Sequence, residues 1–317
     1  MIEKKMKVIL LKPRLDVTFG KGEVPAKISP LQPIRKYWRD FIDQTSEIYT
    51  KKKYQVEVIE KPLWQFTVEF VDGLDANIIY IPHHDKMTFP CKSKNKKFYY
   101  YMQMVFPWLF QVDEIGWCAG ASVWPIKPIK KYEKRIFNKL QKHNKSGKSK
   151  FPQPPIKNYS FGKDFIFFPC QIPHDRTITL HSQVTVEQAL LKTIEISKKL
   201  NIPLLVKPHP ANLNSMLPLL DIVKKNIKEN VYWIHEMNIN ELLNSALAVF
   251  TVNSGVGMEA ILHNKPVYTF GRAEYASVAH FLDSTNINWI ERDKYIKDYP
   301  AFMHAYISNM VEVPGRY

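Results

Sequence analysis

The feature that most constrains this chain is the regular recurrence of short apolar runs: Val8 to Leu11, Val56 to Ile59, Ile78 to Ile81, Phe165 to Phe168, Leu204 to Val206, Val231 to Ile234, Ala248 to Val252 and Val267 to Phe270. Runs this short, bounded by Pro, Gly and polar residues, read as strands buried on both faces, the pattern of a parallel sheet. Between several of them, Pro33 to Thr50, Val184 to Leu200, Leu213 to Ile227 and Gly257 to His263 read as helices by period or capping. Strand and helix in alternation give an α/β fold. With 317 residues, 45% of them hydrophobic, the chain has material for two cores of about 150 residues each. The Lys-, Ser-, Gly- and Pro-rich stretch from Lys142 to Tyr159 neither packs nor holds regular structure by composition, so it marks the expected boundary. The predicted division is 1–155, 156–290, and a terminal segment 291–317 whose helix crosses back to the first domain.

Net charge and cysteine usage narrow the class. The charge is +15, but much of it lies in lysine runs that read as solvated surface, and no aromatic–basic nucleic-acid module accompanies it. Nucleic acid is therefore not an expected partner. No continuous apolar run is long enough to span a bilayer, which leaves peripheral contact with an anionic membrane surface through the basic face. Cys91, Cys118 and Cys170 form no CxxC pair and have no zinc-like His spacing, as in a reducing compartment. The opening Met1 to Leu11 reads as a first strand rather than a signal peptide, because its apolar run is short and ends at Lys12-Pro13. The expected location is cytoplasmic, at most peripheral to the inner face of the membrane.

Four polar segments fall at the ends of second-half strands: Phe168 to Ser182, Lys207-Pro208-His209-Pro210, Asn253 to Ala260 and Thr269 to Tyr275. Ligands of open α/β sheets bind beyond the carboxyl ends of the strands, where all four lie. Thr251 to Ala260 reads as a strand, a Ser/Gly turn and a helix start, whose free amides and positive dipole end attract an anion. Ser254, with the amides of Gly255, Val256 and Gly257, could cradle a phosphate; an ordinary helix cap at the same place is compatible with that role. His209, held between prolines, can donate to the same phosphate or bond a local carbonyl. Glu259 suits a helix start, and a carboxylate also accepts hydroxyl pairs such as those of a ribose. Lys207 and Arg272 are cations for a phosphate or a sugar carboxylate, or solvated charges. Asp175 follows the first strand of this half as a carboxylate available for covalent catalysis, for an Asx turn, or for a bond to Arg176.

These strings, Pro169-Cys170-Gln171 with Asp175 and His181-Ser182, Lys207 to Pro210, Asn253-Ser254 with Gly257, Glu259 and Ala260, and Phe270 to Tyr275, resemble the capsule-polysaccharide biosynthesis family of bacterial Kdo transferases. Phe98 to Phe110, followed by Asp113 to Ser122, is similar to the retaining β-Kdo branch. Cys170 departs from the small residue that the family usually carries before the glutamine. The resemblance implies a GT-B-like fold of two Rossmann-type domains facing across a cleft, an acceptor-side domain over 1–155 and a nucleotide-sugar domain over 156–290. It further implies a retaining transfer of Kdo from CMP-Kdo to a glycan or glycolipid acceptor in capsule or lipopolysaccharide synthesis. Asp175 would then be the nucleophile, Glu114 the acid/base, with Asp113 as the alternative, and His209 the group that stabilises departing CMP. Gln171, Lys207, Asn253, Ser254, Gly255, Val256, Gly257, Glu259 and Arg272 would hold the donor. No Asp-x-Asp occurs, and a single phosphate can be neutralised by His, Ser and backbone amides, so neither metal nor cofactor is expected. Another GT-B-type transferase, using CDP-glycerol or a UDP-sugar, is the alternative. In the first half, one of His83, His84 and Asp85 with Lys86, and the ring of Trp117, are candidates to line the acceptor side.

Overall fold

A computed structural model describes residues 5–14, 32–146, 149–151, 153–157, 161–162, 164–210 and 213–313. Gly147, Lys148, Pro152, Asn158 and Tyr159 of the expected boundary lie outside the described residues, as do the last four residues of the expected terminal segment. The elements of the first part are β1 (Lys7–Pro13), α1 (Gln32–Lys51), β2 (Gln55–Lys61), α2 (Val68–Gly73), β3 (Ile78–Pro82), β4 (Lys97–Gln103) and β5 (Leu109–Asp113). Those of the second are α3 (Lys134–Lys145), β6 (Ile166–Pro169), α4 (Arg176–His181), α5 (Val186–Leu200), β7 (Leu204–Lys207), α6 (Leu217–Lys225), β8 (Val231–Trp233), α7 (Ile239–Ser245), β9 (Ala248–Thr251), α8 (Val256–Leu262), β10 (Val267–Thr269), β11 (His280–Phe281) and α9 (Tyr299–Ser308); the chain ends in β12 (Val311–Glu312).

Packing divides the molecule into two units, 1–124 with 309–316, and 125–308. In the first, six strands run in the order β12-β5-β4-β3-β1-β2. β2, β1, β3 and β4 are parallel, and β5 and β12 add antiparallel pairs. Ile9, Leu11, Ile79 and Ile81 pack on Phe66 and Val71 on one face. On the other, α1 places Trp38 and Phe41 against Tyr101 and Phe110. The spacing of Trp38, Phe41, Ile42 and Thr45 puts these residues on one helical stripe.

The second unit carries a wholly parallel sheet, β11-β10-β9-β6-β7-β8. Counted within the unit, this is the Rossmann order 3-2-1-4-5-6, whose direction reverses between β6 and β9. Its strands are apolar on both faces because helices cover both; Ile166, Phe168, Leu204, Val206, Ala248 and Phe250 share a core with Val186, Ala189 and Leu190 of α5. Local signals start and stop the helices. Thr185 and Gln188 form a capping box at α5, Asn201 ends it in a left-handed conformation at φ 51°, and Asn238 with Glu241 repeats the box at α7.

Two expectations are corrected here. The division by packing falls between Trp124 and Pro125 rather than after 155. The cause is α3, whose buried Phe137, Leu140 and Asn144 form a stripe that the surrounding lysines obscure in the sequence, and which packs on α9 and α8. The terminal segment also divides: helix α9 stays with the second unit, and it is strand β12 that joins the first, through Val311 and Glu312 paired with Phe110 and Leu109. Among the described residues no helix is long and apolar enough to cross a membrane.

Candidate functional site

The loops that leave β6 and β9 flank the reversal of strand order in the second sheet, where a Rossmann sheet opens a crevice. Gln171, on the first loop, accepts from the Asn253 amide at 3.0 Å and from Thr251 Oγ1 at 3.1 Å, and its Nε2 donates to Asn253 Oδ1 at 2.9 Å. The side-chain amide of Asn253 then donates to the carbonyl of Thr177 at 2.7 Å and to that of Arg272 at 3.3 Å. Two side chains thus tie together the loops after β6, β9 and β10. Both are buried, and the polar atoms named in these bonds serve the frame of the site.

The Phe270 to Tyr275 string is the second fastening. Tyr275 is buried and donates its hydroxyl to the Ser254 carbonyl at 2.6 Å. A Cβ on Gly257 would lie 2.2 Å from that hydroxyl, so only glycine admits the ring at this approach. Gly271 is similarly pressed by Ser182, and the Arg272 amide donates to the His181 carbonyl at 2.8 Å. The turn closes on itself: the Val256 amide donates to Ser254 Oγ at 3.2 Å, and the Ser254 amide donates to Thr251 Oγ1 at 3.2 Å. Gly255 caps α8, which begins at Val256.

Titration behaviour around this edge is set by burial. Glu259, on α8, is 4% exposed; burial raises its carboxyl to about 7, opposed by a bond from Ser149 Oγ at 2.8 Å. His209 is half-buried, with the Phe151 ring edge-on at 4.9 Å. Burial lowers its imidazole to about 4; the Asp175 carboxylate works against that shift and the Lys150 ammonium adds to it. The imidazole is therefore neutral at physiological pH, a donor and acceptor rather than a cation. Lys207 is buried, lowered to about 8 by desolvation, and gives its ammonium to the carbonyls of His235 and Met237 at 3.1 and 2.8 Å. Arg272 is exposed and points a guanidinium nitrogen toward the Leu180 carbonyl at 3.4 Å.

Asp175 is exposed and caps α4, accepting from the Thr177 amide at 2.8 Å and the Thr177 hydroxyl at 2.7 Å. The Asx-type cap that its sequence allowed is therefore formed, and it holds the carboxylate at the loop end, within electrostatic reach of His209. In the first unit Glu114 is exposed and ion-paired with Lys97 at 2.7 Å. Asp113 is buried and organises its loop, accepting from the amides of Ile115, Gly116 and Ser122 and from the Ser122 hydroxyl. Trp117, expected to face an acceptor, is 1% exposed and belongs to the core. Asp85 is likewise buried, bonding the amide and hydroxyl of Thr88, while His83 stacks on Trp38 at 5.0 Å and His84 lies against Phe89. The exposed Lys86 donates its amide to the Ile115 carbonyl at 2.7 Å.

In a linker whose sequence is featureless, Ser149 bonds Glu259, Phe151 meets the His209 ring, and the charge of Lys150 between them acts on His209. Nothing in their composition signals this. The role of Tyr275 is equally invisible, since its target is a carbonyl in a distant motif.

The profile of the family described as "Capsule polysaccharide biosynthesis protein" matches residues 126–313. The chain is 31% identical over 113 residues to the capsule polysaccharide export protein KpsS of Escherichia coli, covering 33% of this chain and 29% of that protein. It is 29% identical over 183 residues to the protein FixF of Sinorhizobium fredii, covering 54% of this chain and 41% of that protein. It therefore spans well under half the length of these relatives. Among solved structures, the β-Kdo 2,7 transferase of Thermosulfurimonas dismutans KpsC superposes with a TM-score of 0.51 at 15% identity, over 92% of this chain and 90% of that one. The likeness is one of fold: two parallel-centred Rossmann-like sheets on one chain, as in GT-B glycosyltransferases.

Proposed function

This chain belongs to the capsule polysaccharide biosynthesis family, and from that premise we propose that it is a retaining glycosyltransferase moving Kdo from CMP-Kdo to a glycan or glycolipid acceptor. The observation that carries the reading is the interlocking of the strand-end motifs at the switch point of a Rossmann sheet, with a neutral His209, the Asp175 carboxylate in its field and the buried Glu259 on α8. A fold shared with a β-Kdo transferase supports it.

In this reading Asp175 attacks the anomeric carbon of Kdo, forming a C–O bond to its carboxylate as the C–O bond to the CMP phosphate breaks. His209 and the amides of the Ser254 turn stabilise the phosphate as it leaves. The acceptor hydroxyl then attacks the same carbon, its proton passing to Glu114 and the Asp175 carboxylate being released. Glu259 accepts ribose hydroxyls. Lys207, Gln171 and Asn253 position the loops through the bonds given above, while Arg272 faces the sugar carboxylate. No metal is invoked in this reading, because His209 and the amides of the turn donate to the single phosphate. The exposed face of α3, with Lys134, Arg135, Lys139, Lys142 and Lys145, is the surface we assign to an anionic bilayer.

Calorimetric titration with CMP, CDP, UMP and UDP tests the donor class. CMP is expected to bind selectively and more weakly to His209→Ala; preference for a diphosphate moves the assignment to a UDP-sugar or CDP-glycerol enzyme, and no binding removes it. In the same series Asp175→Ala should retain CMP binding and lose transfer from CMP-Kdo, with wild-type turnover unaffected by EDTA.

A further inference from the structure

The linker between α3 and β6 does more than join them. Ser149 Oγ donates to Glu259 Oε1 at 2.8 Å, and two residues later Phe151 sets its ring edge-on to His209 at 4.9 Å. Lys150, between these two anchors, is half-buried at a bend in the chain. The next residues are fastened as well: Gln153 Oε1 accepts from the Ile239 amide at 3.3 Å, the Pro154 carbonyl from Asn238 Nδ2 at 2.7 Å, and the Lys157 amide donates to Glu241 Oε1 at 3.0 Å. A segment of lysine-rich, linker-like composition is thereby drawn along the carboxyl edge of the second sheet.

Charge bookkeeping at that edge leaves a gap which this segment fills. A nucleotide phosphate favours positive charge, yet the His209 imidazole is neutral at pH 7, Lys207 gives its ammonium to two backbone carbonyls, and the exposed Arg272 is assigned above to the sugar carboxylate. Lys150 lies in the chain between the residue that bonds Glu259 and the residue whose ring meets His209, and its charge acts on the His209 imidazole. Resting on the reading of this edge as the donor site, we propose that Lys150 is a specificity-determining residue that pairs with the phosphate of the nucleotide, held in place by Ser149 on Glu259 and Phe151 on His209.

The test compares CMP with cytidine, which differ in the phosphate alone, on the wild-type chain, Lys150→Met, Lys150→Arg and, as a charge control on α3, Lys145→Met. A lost charge-assisted bond corresponds to about 10-fold to 100-fold in affinity. Lys150→Met should lose that much for CMP and nothing for cytidine, Lys150→Arg should recover most of it, and Lys145→Met should match wild type, all with unchanged melting temperature. Wild-type preference for CMP that persists in Lys150→Met overturns the role of Lys150 and leaves the donor site standing. Equal losses for CMP and cytidine overturn it too, since they mark a disturbed fold rather than a missing charge. A wild-type chain that does not distinguish CMP from cytidine overturns the donor-site reading itself.

Discussion

Replacing Glu259 by Gln exchanges a buried carboxyl for an amide of nearly the same shape that cannot ionise. In the folded protein burial raises this group from 4.5 to about 7. The folded state therefore holds a proton that the unfolded chain has released, and stability falls as pH rises through that window. The stabilisation relative to the ionised form is complete below pH 4.5 and lost as pH passes 7. A displacement of this size corresponds to about 3 kcal/mol, most of which is spent between about pH 5 and about pH 8. Glu259→Gln should be close to wild type in stability near pH 5 and more stable than wild type by about 2 kcal/mol near pH 8, after allowing for a weakened bond from Ser149. Urea unfolding of both proteins, followed by tryptophan fluorescence at the two pH values, measures the double difference, from which every other titrating group cancels. If the two stability curves run parallel across that range, the carboxyl is not held in a desolvated site and the argument from burial fails. A positive result identifies a residue kept at a cost in stability at neutral pH, as a binding carboxylate is.

Two further outcomes follow from the geometry. Gly257→Ala drives a methyl to within 2.2 Å of the Tyr275 hydroxyl and 2.3 Å of its ring, and by comparison with overpacked cores should cost about 2 kcal/mol or more; in urea unfolding the loss should be smaller when it is made in a Tyr275→Ala background, and full stability of the single variant would show that the turn is not built on this contact. The cationic face of α3 should bind phosphatidylglycerol vesicles and not phosphatidylcholine ones; changing Lys134, Lys142 and Lys145 to Gln should weaken flotation by about 1 kcal/mol per charge, and equal binding to both lipids would remove electrostatics as its cause.

The sequence determined by itself whatever depends on local period. The eight apolar runs, from Val8 to Leu11 through to Val267 to Phe270, all fall on strands; those inside the sheets are apolar without interruption because both faces are covered, whereas Val56 to Ile59 and Val231 to Ile234, read as buried on both faces, lie on the edge strands β2 and β8, with Val58 exposed. The strand-end motifs were legible for the same reason: Pro, Gly and polar residues clustered directly after such runs leave little else for them to be. β4, with its three Tyr, Met and Gln, and β5, with Gln and Asp, lack that pattern, since an antiparallel pair tolerates polar residues.

Only the tertiary structure decided which polar groups face inward to each other. Gln171 and Asn253 read as ligand-binding residues from their place in the chain, yet their amides bond across 82 positions, and Lys207 turns to carbonyls beyond β8. The linker shows the limit most plainly. Lys142 to Lys150 has the composition of a solvated run, and its ends are pinned by Phe137 and Leu140 of α3 and by the contacts of Ser149 and Phe151 with Glu259 and His209. Composition reports the average solvent preference of a segment. Whether the charge of one of its lysines reaches a distant histidine depends on where the packed helices and strands send the chain, and no local pattern encodes that.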